Sequence, residues 1–336
     1  MKIAILGAGS LGMIHGAFLS KAGYDTTLID VNKEHVKALN EFGAKIIGLH
    51  EEVIPVKASL AKDLNEDFDL VLLHTKQMHM LKALSDISHC INDDTIIVTL
   101  ENGIPEEKVA KEYGNRVMGG TVFHGAKYIE PGVSELTTKY ESMHFYIGEL
   151  SGKITERSKK VKEIMSSICP VDITTDILSI KWTKLIMNAS LSGISASLGC
   201  TFGEAGDNDK SLMAMIHICK EGAIVMQQKA LKPIDMEGFC PSVENFSYTT
   251  EKQLLKIKKQ MLDLISLSYY EIASMLQDIR MGRKECEIQE INGEIVKEGN
   301  RLGIPVPFNE KVVELVTKII AGDMEPVFEN IDKFPL

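Results

Sequence analysis

Residues 1–12 read MKIAILGAGSLG. The stretch KIAIL (2–6) is a short apolar run, the pattern of a buried strand. Gly7-Ala8-Gly9-Ser10-Leu11-Gly12 follows as G-x-G-x-x-G, and Ile14, Ala17, Phe18 and Ala22 then recur at helical spacing. A second strand, in YDTTLIDVN (24–32), ends at Asp30, eighteen residues beyond Gly12. In that setting each glycine has a task. Gly7 permits the tight turn, Gly9 lets the backbone approach a pyrophosphate, and Gly12 lets the helix pack on the strand. The helix N-terminus then faces the phosphates with its N–H groups and its positive dipole end. Asp30 would accept hydrogen bonds from ribose hydroxyls and repel a phosphate, which favours NADH over NADPH. The other reading of Asp30 is a plain cap for the helix predicted over 32–43.

Working outward, DLVLLHT (69–75) and TIIVTL (95–100) read as buried parallel strands, each followed by a helical pattern. Residues 120–150 are β-rich with a turn signal at Pro131-Gly132, which predicts antiparallel strands extending the sheet. From Ile177 onward the patterns are helical, over 177–199, 209–231, 247–281, 284–302 and 308–320. The fold class is therefore α/β. An N-terminal Rossmann-like parallel-sheet domain over 1–175 binds NAD(P). A C-terminal all-helical domain over 176–336 follows, expected to serve substrate binding and, as helical domains of this kind often do, homodimer formation. No internal repeat or low-complexity segment is present.

Composition narrows the function classes. Two domains suit 336 residues, and 44% hydrophobic with 25% charged residues is ordinary for a soluble protein. A net charge of -10 opposes binding to nucleic acid or an anionic membrane. The six cysteines form no CxxC pair, so neither a metal site nor a disulfide framework is expected, and reduced thiols in a cytoplasmic protein are. The N-terminal apolar run is too short for a signal peptide. Residues 185–203 carry no charged side chain, but Asn188 and several serines and glycines make them too polar for a lone membrane span.

Lys184 stands at the head of that charge-free stretch, in KWTKLIMNAS (181–190). On a helix, Lys184, Asn188, Ser192 and Ser195 share one face, and Trp182, Leu185, Ile186 and Ala189 another. A polar seam on an apolar helix suits a substrate groove. The plain reading is a lysine that snorkels to solvent at a helix start.

Four further segments are HTKQ (74–77), ENGIP (101–105), WTKLIMN (182–188) and SMLQDIRMGRKECEIQEING (274–293). With GAGSLG, and in this order, they resemble the ketopantoate reductase family, the 2-dehydropantoate 2-reductases and related D-2-hydroxyacid dehydrogenases. The resemblance spans nearly the whole chain and implies reduction of a small 2-keto acid by NAD(P)H. 2-Dehydropantoate is the first choice, in pantothenate biosynthesis. It implies Lys184 as the catalytic lysine and Glu287 as a glutamate at nicotinamide and substrate. Asn102 would touch cofactor and substrate, Lys76 would lie beside the cofactor, and the backbone of Ala126 would line it. Asn188, Ser192 and Ser274 would bind substrate.

The chemistry accounts for such a set. Hydride delivery to a 2-keto carbon puts negative charge on the ketone oxygen, which a positioned acid must stabilise and protonate. Lysine can do both, and partial burial makes it more acidic. His124 is a minor candidate, with a packed or surface histidine as its plain reading. Glu287 could equally be a solvated acid among Glu285, Glu290 and Glu294, and Ser274 a core serine.

Departures from the family pattern bear on the substrate. Ser192 and Glu271 each replace an asparagine, the Ser274–Glu287 spacing is one residue longer than common, and 232–268 is long. An NAD-linked D-2-hydroxyacid dehydrogenase acting on another branched or aromatic 2-keto acid is the runner-up. A non-catalytic NAD sensor is a third reading, opposed by the retention of Lys184, Asn188, Ser274 and Glu287.

Overall fold

In the computed structural model, which describes residues 1–236 and 238–336, the chain divides into two compact units, 1–178 and 179–336. The first opens with β1 (Lys2–Leu6), α1 (Ser10–Lys21), β2 (Asp25–Ile29) and α2 (Lys33–Phe42). Three short strands follow, β3 (Ala44–Gly48), β4 (Glu52–Ile54) and β5 (Lys57–Ser59). The alternation resumes with β6 (Leu70–Leu73), α3 (Met80–Asp86), β7 (Ile96–Thr99), α4 (Glu106–Tyr113) and β8 (Val117–Val122). The unit ends with β9 (Ala126–Glu130), β10 (Val133–Leu136), β11 (Phe145–Glu149), α5 (Glu156–Met165) and β12 (Val171–Ile173).

Eight strands form the main sheet in the order β12-β11-β8-β7-β6-β1-β2-β5. Strands β5 to β8 in that order run parallel, and β11 pairs antiparallel with β8. The inner strands β1, β6 and β7 are apolar along almost their whole length because helices cover both faces, so one core lies on each side of the sheet.

The expectation for 120–150 needs correction. β11 does extend the main sheet, but the hairpin β9–β10 does not. It joins β3 and β4 in a second, four-stranded sheet of order β4-β3-β10-β9. β9 has no buried residue and β10 is buried only on alternate residues, so neither can serve as a two-sided core strand. The turn falls at Pro131-Gly132, where Gly132 has a φ of +81°.

The second unit is helical in every regular element described. α6 (Ile177–Leu198) carries the chain into it, followed by α7 (Phe202–Gly206) and α8 (Asp209–Gln228). Then come α9 (Glu251–Ser266), α10 (Ser274–Arg280), α11 (Asn292–Leu302) and α12 (Pro307–Ala321). The helix expected over 247–281 is thus two helices. It breaks because the carbonyls of Tyr269 and Glu271 turn away to accept the amides of Gly203 and Phe202 at the start of α7, at 2.9 and 3.0 Å. The helix expected over 284–302 begins only at Asn292, after a turn.

Close packing fixes α6. A Cβ on Gly222 of α8 would lie 2.7 Å from Ile186, and one on Gly193 would lie 2.7 Å from Val312 of α12. Asn292 donates to the carbonyl of Ala189 at 3.1 Å and to Asn309 Oδ1 at 3.0 Å. Glu221 on α8 accepts the amides of Phe308 and Asn309 at 2.9 and 3.0 Å, supplying from a distance the cap that Val306 cannot give α12. Burial raises the Glu221 carboxyl to about 7.

Candidate active site

β1, β2, β6 and β7 stop level with one another. Leu6 pairs with Ile29 on one side and Leu73 on the other, and Leu73 pairs with Thr99. Residues 7–12, 30, 74–77 and 101–102 therefore leave the sheet at one carboxyl edge, where open α/β sheets bind ligands.

The glycine loop shows three different demands. Gly7 has a φ of +96°, and a Cβ there would also lie 2.8 Å from the Thr75 amide. A Cβ on Gly12 would sit 2.0 Å from the Gly7 carbonyl oxygen, so α1 closes on the turn only with glycine. At Gly9 a Cβ would meet nothing within 4 Å. The protein's own packing does not need glycine there, and the space in front of it is open. Gly9 is the N-cap of α1 and offers no side-chain cap, and the first turn, with Ser10 and Leu11, holds no acid. Such an end attracts an anion. The cradle fits a dinucleotide pyrophosphate.

His35 shapes the same loop from α2. The amide of Gly132 donates to its Nδ1 at 2.9 Å. Since Nδ1 accepts, Nε2 carries the proton and donates to the carbonyl of Ala8 at 2.7 Å. One buried imidazole thus ties the loop to the turn of the β9–β10 hairpin.

Asp30 is half-buried just past β2, and its Oδ1 accepts the amide of Asn32 at 2.9 Å. The cap of α2 is Asn32, whose side chain accepts the amides of Glu34 and His35. The capping reading of Asp30 is therefore set aside. Lys76 is half-buried and leads into a single helical turn. Gln77 donates to the carbonyl of Asn102 at 3.0 Å, which brings the Lys76 and Asn102 segments together. Ala126 opens β9 and packs against the larger core.

His124 belongs to a chain of three imidazoles. His15 Nδ1 lies 3.1 Å from His74 Nε2, and His15 Nε2 lies 2.6 Å from His124 Nε2. Burial, and then its two neighbours, hold His15 well below the usual histidine range, and burial holds His74 at about 3. His124 is thus packed among neutral rings.

In the second unit, Lys184, Asn188 and Ser192 lie half-buried on one face of α6, with Met187 and Leu191 between them. Trp182, Leu185, Ile186 and Ala189 are fully buried on the other. Ser195 leaves the seam. It is buried, donates to the carbonyl of Cys200 at 2.7 Å and accepts the amide of Ala273 at 3.3 Å, which fixes the start of α10. Ser274 is the next residue and is exposed, so the core-serine reading fails. Glu271, also exposed, serves α7 through its carbonyl.

Glu287 is half-buried in the turn before α11, while Glu285 is exposed and Glu294 pairs with Lys297 at 2.9 Å. Burial pulls the Lys184 ammonium down to about 8, the charge of Lys181 pushes the same way, and the charge of Glu287 opposes both. A lysine held there is half-protonated just above neutrality, which suits a proton donor.

The family model described as Ketopantoate reductase PanE/ApbA matches residues 3–152, and its C-terminal counterpart matches 176–320. The 2-dehydropantoate 2-reductase of Pyrococcus horikoshii is 31% identical over 310 residues, 92% of this chain and 94% of that one. The chain belongs to the ketopantoate reductase family. As a member it is an NAD(P)-dependent oxidoreductase acting on a CH–OH group. The 2-dehydropantoate 2-reductase of Streptococcus pyogenes is 26% identical over 94% of this chain and 97% of its own length. Two solved structures share the fold. One is D-mandelate dehydrogenase with NADH and anilino(oxo)acetate, with TM-score 0.82, 24% identity and coverage of 96% of this chain and 99% of that one. The other is a family member from Ralstonia eutropha, with TM-score 0.81, 23% identity and the same coverages.

Sequence reasoning passed over His35, His15, His74 and Lys181. No local signal marks the histidines. Lys181, three residues before Lys184, carried the one available hint, a second cation beside the first.

Proposed function

We propose that this chain reduces a small 2-keto acid, 2-dehydropantoate to pantoate in the first instance, with Lys184 as proton donor. The observation that carries this reading is the Lys184 ammonium, half-buried on the polar face of α6 and brought to about 8 against the opposing charge of Glu287. The relatives at 31% and 26% identity, both 2-dehydropantoate 2-reductases, support it.

The loop of residues 7–12 would hold the dinucleotide phosphates, with Lys76, Asn102 and the Ala126 backbone beside the cofactor. When bound, the reduced nicotinamide supplies the hydride. The ketone oxygen then gains negative charge. Lys184 stabilises that charge and gives up its proton to it. Glu287 keeps Lys184 from losing its proton too early. Asn188, Ser192, Ser274 and Asn102 offer the uncharged hydrogen bonds that orient a keto acid. Asp30 would accept the ribose hydroxyls and repel a 2′-phosphate, so NADH is the preferred cofactor.

Ser192 favours a second reading. It is shorter than asparagine and reaches a substrate hydroxyl less well, which loosens selection for 2-dehydropantoate over a branched or aromatic 2-keto acid without that hydroxyl. A panel of 2-keto acids assayed with NADH and with NADPH tests both readings. The expected result is highest kcat/KM for 2-dehydropantoate with NADH. No turnover of any 2-keto acid with either cofactor would overturn the proposal.

A further inference from the structure

Lys181 lies on α6 one turn before Lys184 and is 3% exposed. Lysine is almost never buried to that degree unless it is paired. Residues three apart on a helix are side-chain neighbours, so two ammonium groups share one turn. The turn is not free to fray and let them separate. On its other side Ser179 Oγ accepts the amide of Lys232 at 3.0 Å, and Thr183 Oγ1 accepts that of Ile234 at 3.2 Å. Lys229, over the Trp182 ring at 5.4 Å, is already paired with Glu298 at 2.6 Å.

We propose that Lys181 is a positioning residue for the reaction, a buried ammonium beside the half-buried Lys184 that counterbalances Glu287 and keeps the Lys184 proton transferable. The inference rests on the reading of Lys184 as the donor. Among the described residues, the charged groups that bear on the Lys184 ammonium include Lys181 from its own helix and Glu287 from the turn before α11. Glu287 alone would hold the proton on Lys184, raising its pKa and slowing its transfer to the developing alkoxide. Burial works against that, and Lys181 adds to burial in the same direction.

The sign of the effect is fixed. Turnover needs Lys184 protonated, so kcat falls as pH rises through its pKa. Removing the Lys181 charge raises that pKa and moves the falling limb to higher pH, by about one unit, the scale of a like charge one helical turn away. The test compares wild type, Lys181→Met and Lys181→Arg by two measurements. One is the pH profile of kcat. The other is the pH dependence of Lys184 acylation by an amine reagent, read by mass spectrometry and independent of turnover. Both midpoints are expected to rise in Lys181→Met and to return to the wild-type value in Lys181→Arg. Lys181→Gln serves the same comparison where methionine is not accommodated. An unmoved acylation midpoint in the uncharged variants, or no recovery with arginine, overturns the role of Lys181 alone. An acylation midpoint that moves while the kcat limb stays shows that Lys184 is not the donor, and both assignments fall together.

Discussion

The loop after β1 is built from missing side chains, whereas the polar face of α6 is built from side chains kept where charge is seldom found. At Gly7 and Gly12 an added methyl meets backbone at 2.8 and 2.0 Å, and at Gly9 it meets empty space that a ligand can use. Along α6 the opposite holds. Lys181 and Lys184 carry charge into the protein, and Glu287 balances it. The first site is made by backbone and is sensitive to volume. The second is made by charge and is sensitive to chemistry. Each should therefore fail in its own way.

The largest expected effect is on the chemical side. Lys184→Ala should lower kcat by about a hundredfold or more, the scale of losing a general acid. The dissociation constant for NADH, measured by fluorescence titration, should stay near the wild-type value. Loss of NADH binding with kcat intact would break the comparison, because it would make Lys184 part of the dinucleotide site.

The loop should answer to volume. Gly9→Ala should leave the thermal midpoint unchanged and weaken NADH about tenfold, since a methyl intrudes only on the bound phosphates (about 1.4 kcal/mol). Gly12→Ala should destabilise the fold itself by about 1–3 kcal/mol, as overpacking does. Equal melting temperatures for the two variants would show that the clash at Gly12 relaxes freely.

A third test uses pH. In the unfolded chain His15 and His74 titrate near 6.5, whereas folding holds both neutral to much lower pH. Below 6.5 the unfolded state takes up protons that the folded state refuses. Stability is then complete above 6.5 and falls toward the His74 value of about 3, by up to about 1.4 kcal/mol per pH unit for each ring. Urea denaturation between pH 6.5 and 5 reads this before the carboxylates titrate. A flat profile would mean that both rings take up protons in the folded state as readily as in the unfolded chain.

The smallest effect concerns selectivity. Ser192→Asn should raise the ratio of kcat/KM for 2-dehydropantoate over 2-ketoisovalerate by roughly three- to tenfold, from one better hydrogen bond to the substrate hydroxyl. An unchanged ratio places that hydroxyl away from α6.

The contrast also explains what the sequence disclosed. The glycine loop, the position of Asp30 just past β2 and the strands around them were legible because their signal is local, a spacing within thirty residues. The face of α6 was legible because a helix maps sequence distance onto geometry. β3, β4 and β5 were not, being three to five residues long with no sustained alternation. The destination of the β9–β10 hairpin depends on pairing with β3, more than eighty residues earlier, and periodicity carries no such information. The break between α9 and α10 is set by the amides of Phe202 and Gly203, which lie far upstream. Ser195 reads as a member of the polar seam by spacing, yet the backbone of Cys200 and Ala273 claims it.

The imidazole of His35 has one last consequence. It holds the Ala8 carbonyl with one nitrogen and the Gly132 amide with the other. The shape of the glycine loop is therefore recorded in two places outside it, on the next helix and in a turn about a hundred residues later. GAGSLG is not a portable cassette. Grafted onto another strand and helix, it would bring its glycines but leave its buttress behind, and a transplant that binds dinucleotide well would have to carry a histidine and a hairpin with it.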